Sequence, residues 1–252
     1  MNGFTNHGIA HTSPSQINTW IASPCFWVMT KLFGKRYRSN FSMERGTAIE
    51  RAVVNILANG MSEDDAIKET IRTYNTTGGL GVSEKKETER AVIDPSVRLL
   101  VQELKQYGDP TFPEEGQQAI RLNCKTDEWE LPVIGYMDLV YPQHNLVIDL
   151  KSTLRFPSEM SMSHQRQAAI YATATGYDVK FLYVTPKKLG YLECEHVADV
   201  MKQVKVNLVR QEKFLSISQD KHVLAGIVPV NCESYYYDTP EAIADRVALF
   251  GV

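Results

Sequence analysis

The sequence predicts an α/β domain, and three observations support this class. The chain has 252 residues, of which 43% are apolar, enough for one sizeable core and too few for two full catalytic domains. Helical periodicity dominates up to about residue 110, and short β-rich segments separated by turn residues follow Pro113. Helix and strand patterns then alternate. We therefore expect a mixed β-sheet flanked by helices.

The N-terminal helices have recognisable start signals. Ser13-Pro14 pairs a capping residue with proline at the first helical position, and Ser23-Pro24 repeats the pattern. Residues 44–59 have apolar side chains at the i, i+3, i+4 spacing of an amphipathic helix, and Gly60 ends it. Further helices are expected at 62–74 and 86–107, the second interrupted near Pro95, with a flexible loop at 76–81.

The β-rich part of the chain predicts a three-strand meander at 117–125, 131–141 and 145–153. A helix at 159–175, strands at 180–185 and 190–197, and helices at 198–214 and 240–250 should follow. We interpret the whole chain, 1–252, as one domain with an acidic, solvated insert. Its parts are N-terminal helices at 1–43, a helical insertion at 61–110, a catalytic sheet and helix at 111–197, and C-terminal helices at 198–252.

Composition limits the classes of partner and the cellular location that the protein can have. The net charge is −3, from 27 basic and 30 acidic residues, which is low for a protein that coats nucleic acid non-specifically. No apolar run approaches the roughly 20 residues of a membrane helix, and the N-terminus does not resemble a signal peptide. The four cysteines lie far apart with no CxxC pair. We expect a cytoplasmic protein with no membrane association, disulfide scaffold or structural zinc site.

The third predicted strand carries an unusual charge pair. Because side chains alternate along a strand, Asp149 and Lys151 share one face, opposite Ile148 and its apolar neighbours. Asp138 lies on the preceding strand, and a short antiparallel connection would bring it close to Asp149. Two adjacent carboxylates repel each other, and a divalent cation such as Mg²⁺ or Mn²⁺ is the usual remedy. The alternative is a surface ion pair worth under about 1 kcal/mol.

Five short motifs occur in the order found in one enzyme superfamily. They are Ser13-x-Ser15-x-Ile17 with Ser23-Pro24, Gly46-Thr47-Ala48-Ile49-Glu50, Gly135-x-x-Asp138, Ile148-Asp149-Leu150-Lys151-Ser152, and Gln167-x3-Tyr171-Ala172. With these the chain resembles the PD-(D/E)xK nuclease superfamily, specifically its RecB-like exonuclease branch. The resemblance implies a restriction-endonuclease-like core, a mixed β-sheet flanked by helices, with a helical insertion. It spans residues 13 to about 186.

The resemblance also implies residue roles. Glu50, Asp138, Asp149 and the Leu150 carbonyl would bind the metal, and Lys151 would position or activate the hydrolytic water. Gln167 and Tyr171 would hold the DNA strand or brace the site, with His164 on the same helix face. The list of expected catalytic residues is therefore Asp138, Asp149, Lys151, Gln167 and Tyr171.

Two features depart from the usual pattern of the branch. Its members usually have histidine where this chain has Glu50, although other superfamily members have glutamate there; a solvated helix glutamate is the alternative. Some relatives also hold an iron–sulfur cluster with four cysteines. Here Ser23 replaces the first of them, and only Cys232 lies in the C-terminal tail, so we expect no iron–sulfur cluster.

A basic and aromatic stretch follows the second helix. Lys31, Lys35, Arg36 and Arg38 are candidates to bind DNA phosphates, with His164 as a further contact, although a solvated basic loop fits the stretch equally well. The run Tyr235-Tyr236-Tyr237 is uncommon, and no chemistry follows from its sequence alone. No phosphate-binding GxxxxGK[S/T] loop is present, so no nucleotide cofactor is expected.

The resemblance implies a metal-dependent DNA exonuclease of a recombination, repair or phage DNA-processing system, with Mg²⁺ or Mn²⁺ as cofactor. Its expected partner is DNA with a free end or a single strand, and it could form a homo-oligomer or bind a recombination partner. The alternatives are a catalytically inactive DNA-binding or assembly protein on the same fold, a structure-specific endonuclease, or an unrelated α/β protein.

Overall fold

Helices fill the chain before the first strand. The structure is a computed structural model that describes residues 2–76, 84–111, 118–125 and 130–252. Part of the predicted loop at 76–81 therefore lies outside the described residues. The helices are α1 (Gly3–Asn6), α2 (Pro14–Ala22), α3 (Pro24–Trp27), a π-helical turn (Val28–Leu32), α4 (Phe41–Asn59), α5 (Glu63–Thr76), α6 (Glu84–Ala91) and α7 (Ile93–Leu104), with a 3₁₀ turn at Lys105–Tyr107.

Strands and helices alternate in the rest of the chain. The strands are β1 (Gln118–Lys125), β2 (Glu130–Met137), β3 (Leu139–Tyr141), β4 (Leu146–Ser152), β5 (Asp178–Val184) and β6 (Leu189–Glu193). A 3₁₀ turn at Pro142–His144 joins β3 to β4, and α8 (Met162–Thr175) joins β4 to β5. The chain continues through α9 (Val197–Ser216), α10 (Lys221–Ile227) and α11 (Pro240–Phe250). This arrangement is a mixed α/β fold, as predicted.

The strands form two sheets rather than the one expected. Strands β1 and β2 make an antiparallel hairpin, while the second sheet has the order β3-β4-β5-β6. Within it, β4 and β5 are parallel and the outer pairs are antiparallel. The predicted three-strand meander is therefore wrong at one point. The segment 131–141 divides at Asp138, whose side chain accepts a hydrogen bond from the Leu150 N–H, and its two halves join different sheets.

Helices cover both faces of the four-stranded sheet. Leu146, Ile148 and Leu150 face a core built with α4, α5 and α7. Val147 faces the opposite core, which contains α8, α9 and the N-terminal helices. This arrangement confirms the alternation predicted for the third strand. It also leaves the end of β4 as the place where polar side chains emerge between the two helical layers.

The predicted insertion at 61–110 is part of the core rather than a solvated addition. On α7, the side chains of Ile93, Val97, Leu100, Val101 and Leu104 are all fully buried. Charged residues lie on the outer surface, where Arg98 pairs with Asp64 and Asp94. The acidic average of this segment concealed one strongly apolar helix face.

Helix boundaries follow their capping residues. The Ser13 hydroxyl accepts a hydrogen bond from the Gln16 N–H, as predicted for α2. Asn40 caps α4 and starts it three residues before the predicted position. Gly60 and Gly176 end their helices with the left-handed backbone that glycine favours. Within the described ranges, no helix is long and apolar enough to cross a bilayer.

Candidate active site

Two carboxylates meet where β2 gives way to β3. Leu139 pairs with Ile148 in the antiparallel ladder, so Asp138 lies beside Asp149. Both are buried, with 7% of Asp138 and 1% of Asp149 exposed. An Asp138 carboxylate oxygen accepts a hydrogen bond of 2.7 Å from the Leu150 N–H. The sheet thus brings together the acidic residues predicted from the sequence.

The Lys151 ammonium completes this group from the same face of β4. It forms an ion pair with Asp149 and lies 4.9 Å from the centre of the Phe181 ring. Burial lowers the pKa of Lys151, but the negative charges of Asp149, Asp138 and Glu50 outweigh burial and raise it overall. Lys151 is therefore a cation at neutral pH, positioned beside two carboxylates.

The acidic groups are in an unfavourable environment for their charge. Burial, together with the charges of Asp149 and Glu50, raises the pKa of Asp138 well above its ordinary value. Burial also raises the pKa of Asp149, although Lys151 opposes the shift. The Glu50 carboxylate, from α4, is close enough to act on both Asp138 and Lys151. Such crowding is relieved by a cation.

A hydrogen-bonded brace from α8 supports the carboxylates. The Gln167 side-chain amide donates to Asp149 at 3.0 Å and to the Tyr171 hydroxyl at 2.9 Å. The Tyr171 hydroxyl in turn donates to the Tyr136 carbonyl at 2.6 Å. The two α8 residues are four positions apart and share one face, as the sequence predicted. The brace fixes the orientation of the Asp149 carboxylate relative to β2.

The structure shows why the Gly135-x-x-Asp138 motif begins with glycine. A β-carbon at this position would lie 2.8 Å from a ring carbon of Tyr171. Only glycine lets the Tyr171 ring approach the strand closely enough for its hydroxyl to reach the Tyr136 carbonyl. The glycine is thus needed for close packing.

His164 lies at the edge of the site in a half-buried, uncharged state. Its Nδ1 atom is 2.5 Å from the Tyr183 hydroxyl, and its ring packs against Phe181. Burial and the nearby Lys151 charge lower the pKa of His164 to about 4. The imidazole is therefore neutral at pH 7 and cannot bind a phosphate as a cation there.

The donor set fits a hard divalent cation in type. Mg²⁺ commonly binds through one or two carboxylates, with water and substrate oxygens completing its shell. Asp138, Asp149 and the Leu150 carbonyl offer such oxygens, and the Oδ1 atom of Asp149 already forms the ion pair with Lys151. Among the described residues, however, no group of three His, Cys, Asp or Glu side chains converges closely enough to hold a metal. The two aspartates, rather than a complete cage, are the candidate ligands.

Arg45 is a site-supporting residue that the sequence analysis missed. Its buried guanidinium pairs with Glu89 of α6, donates to the Ser152 carbonyl at 2.8 Å and contacts the Ser152 hydroxyl at 3.1 Å. Ser152 follows Lys151, so Arg45 fixes the end of β4 directly after the ammonium. The one available signal was its position next to Gly46 on the motif helix.

The predicted DNA-binding stretch lies against α11 rather than among the carboxylates. Lys35 forms a 2.7 Å ion pair with Asp245, whose second oxygen accepts from Tyr37. Burial lowers the pKa of Lys31. Arg36 and Arg38 are exposed. Of this group, the two arginines are the cations best placed to meet a phosphate.

The cysteines are dispersed. Cys25 is buried next to the Tyr237 hydroxyl at 3.0 Å, and Cys124 is buried on β1. Cys194 is half-buried and Cys232 is exposed, and all four are free thiols.

Comparison with known proteins adds little to this geometry. No family model matches the chain, and no curated protein matches its sequence. One solved structure, described as "Crystal structure of SSO0001", is similar at 11% identity over 74% of this chain and 85% of that one, with a TM-score of 0.37. Similarity at this level carries no argument about fold or activity.

Proposed function

We propose that the protein is a divalent-metal-dependent deoxyribonuclease of the PD-(D/E)xK superfamily, acting as an exonuclease of the RecB-like branch. One observation carries the proposal: buried Asp138 and Asp149 lie on adjacent strand segments with the Lys151 ammonium beside them. Burying two carboxylates and an ammonium costs several kcal/mol per ion, which only further partners can offset. A bound divalent cation would be such a partner. The motif order along the chain supports the nuclease assignment.

Each residue has a distinct part in the proposed reaction. Asp138 and Asp149 would hold Mg²⁺ or Mn²⁺, with the Leu150 carbonyl as a further ligand and Glu50 adding negative charge from α4. The bound ion would act as a Lewis acid on the scissile phosphate. The Lys151 ammonium orients the attacking water and stabilises negative charge that develops on the phosphate. Gln167 keeps the Asp149 carboxylate in place through its amide.

A direct assay tests this function. Purified protein is incubated with end-labelled linear DNA and with closed circular DNA, in Mg²⁺, Mn²⁺ or EDTA. We expect the linear form to be degraded from its ends in either metal, and neither form to be cut in EDTA. Cutting of the circle as fast as the linear form would refute the exonuclease assignment and favour a structure-specific endonuclease.

Two variants separate metal binding from chemistry. Asp149→Ala should abolish both metal binding, measured by calorimetry, and hydrolysis. Lys151→Ala should keep metal affinity and lose turnover, because the ammonium binds water and phosphate rather than the ion. If Lys151→Ala lost both equally, its proposed role would be wrong.

A second candidate function has one observation in its favour. Lys151 already neutralises Asp149, and the described residues bring no third metal-ligating side chain into the group. A protein that kept the fold but binds DNA without cutting it would fit that arrangement. DNA binding by the wild-type protein with no calorimetric heat from Mn²⁺ and no hydrolysis would establish this alternative.

A further inference from the structure

The tyrosine run near the C-terminus forms an ordered aromatic surface. Tyr237 is buried, with its hydroxyl against Cys25, and it anchors the segment. Tyr236 stacks on Phe26 of α3, with ring centres 4.8 Å apart and planes inclined by 17°. Tyr235 stacks on Tyr236 at 4.2 Å. We call Tyr235, Tyr236 and Phe26 the tyrosine stack.

The outer end of the tyrosine stack is open. Tyr235 is 73% exposed, and among the described residues its ring stacks on Tyr236 and on no second aromatic ring. The Tyr235 ring is stacked on its neighbour with the planes inclined by 30°. A largely exposed ring held in this way offers a platform for a further flat ring. Nucleobases are the biological ligands that use such platforms, and their stacking tolerates any sequence.

Polar contacts connect the tyrosine stack to the helix that braces the carboxylates. The Tyr236 hydroxyl accepts a 3.3 Å hydrogen bond from Thr19 of α2. The adjacent Asn18 bridges to α8, because it donates to the Ser163 carbonyl at 3.0 Å and accepts from Arg166 at 2.6 Å. Arg166 directly precedes Gln167, whose amide contacts Asp149. The stack is therefore connected to the candidate metal ligands through α2 and one turn of α8.

Arginine side chains lie near the tyrosine stack and on the part of α8 connected to it. Arg166 is half-buried on α8, and exposed Arg36 and Arg38 flank Tyr37, whose ring centre lies 5.5 Å from that of Phe26. The acidic side chain of Asp245 is engaged by Lys35 and Tyr37. Glu233 and Asp238 flank the tyrosine run in sequence, so phosphate contacts would come from the arginine side.

We propose that the tyrosine stack is a binding site for single-stranded DNA, in which a base stacks on Tyr235 while Arg166, Arg36 and Arg38 contact the phosphates. The site would hold the strand whose end enters the carboxylate group. It rests on the proposed nuclease function for its purpose, but base stacking can be measured without catalysis.

The test is a binding measurement in EDTA. A fluorescein-labelled oligothymidylate of about 20 nucleotides is titrated with protein, and Kd is taken from anisotropy. Tyr235→Ala should weaken binding about 5- to 150-fold, the range for loss of one base–aromatic stack. Tyr235→Phe, which keeps the ring, should bind within about twofold of wild type. Ile217→Ala truncates another exposed apolar side chain and should leave Kd unchanged.

An abasic oligonucleotide provides the chemical control. Wild type and Tyr235→Ala should bind it equally, since it has phosphates but no bases to stack. Similar melting temperatures for the variants would show that this exposed residue does not affect folding. Tyr235→Ala binding oligothymidylate as tightly as wild type, or losing equal affinity for the abasic strand, would overturn the proposal.

The outcomes separate this inference from the proposed activity. DNA hydrolysis in Mg²⁺ with oligothymidylate binding unaffected by Tyr235→Ala would refute the stacking site and leave the nuclease intact. Tyr235-dependent binding without hydrolysis by the wild type in either metal would retain the site and refute the nuclease.

Discussion

The ring of Tyr171 lies directly against the backbone of Gly135, so that a β-carbon on the glycine would come within 2.8 Å of the ring. This contact joins the motif on β2 to the motif on α8. It allows the Tyr171 hydroxyl to bond the Tyr136 carbonyl, and the same hydroxyl accepts the Gln167 amide. The orientation of the Asp149 carboxylate therefore depends on a glycine that is fourteen positions away along the chain.

The two motif glycines should respond oppositely to alanine. Gly135→Ala should lower the free energy of unfolding by about 1–3 kcal/mol, because the new methyl group overlaps the Tyr171 ring. In the described part of the chain, a β-carbon on Gly46 would meet the Ser152 hydroxyl at 4.0 Å and no closer atom from outside its own helix. Gly46→Ala, inside a helix, should therefore raise the free energy of unfolding by about 0.5–1 kcal/mol. Urea denaturation measures both, and equal stability of the two variants would contradict this packing.

Removing the Tyr171 hydroxyl should test the brace. Tyr171→Phe keeps the ring against Gly135 but deprives the Tyr136 carbonyl and the Gln167 amide of a partner. We expect a loss of about 1–2 kcal/mol in the free energy of unfolding. Tyr177→Phe, at a half-buried tyrosine just past α8, is the matched control and should cost less. Equal losses in the free energy of unfolding for the two variants would show that the hydrogen bonds of the Tyr171 hydroxyl do not stabilise the fold.

The buried ion pair of Arg45 and Glu89 should be sensitive to loss of one partner. Glu89→Ala leaves the guanidinium buried without its counter-charge and should cost about 3–5 kcal/mol. The double variant Arg45→Met/Glu89→Leu removes both charges and should recover much of that loss. Glu87→Ala breaks the exposed pair with Arg90 and should cost under about 1 kcal/mol. Chemical denaturation of all three variants measures these changes in the free energy of unfolding. A loss under about 1 kcal/mol for Glu89→Ala would contradict the buried ion pair.

His164 should make stability depend on pH. Its folded pKa of about 4 is below its ordinary value of 6.5, so the unfolded chain binds the proton more readily between these values. The folded state should therefore be fully favoured above about pH 6.5 and lose about 2 kcal/mol as the pH falls towards 4.5. His164→Gln should reduce this slope, whereas His196→Gln controls for loss of an exposed imidazole. An unchanged slope in His164→Gln would assign the acid sensitivity to other groups.

The sequence was informative where structure follows from local periodicity. The alternation along β4 placed Ile148 in the core and Asp149 with Lys151 on the other face, because strand side chains alternate strictly. The proximity of Asp138 to Asp149 followed from the short connection between their strands. The capping residues and the terminal glycines predicted several helix ends, such as the start of α2 at Ser13 and the end of α4 at Gly60, since their preferences are local.

Features that depend on distant contacts were not predictable. Nothing in the pattern around Arg45 indicated its pairing with Glu89, since the two are brought together only by packing of α6 on α4. The division of the predicted strand at Asp138 was hidden because apolar residues continue on both sides. The tyrosine stack likewise depends on Phe26 and Tyr236, which are far apart in sequence.

The change of sheet at Asp138 has a consequence for how the molecule can vary. Because the backbone leaves the hairpin at that residue, lengthening the hairpin at its far end shifts no position in β3 or β4. The acidic pair is thereby insulated from such insertions. Longer hairpins could thus be grafted onto this scaffold to change the surface available for contacts, without altering the group of Asp138, Asp149 and Lys151.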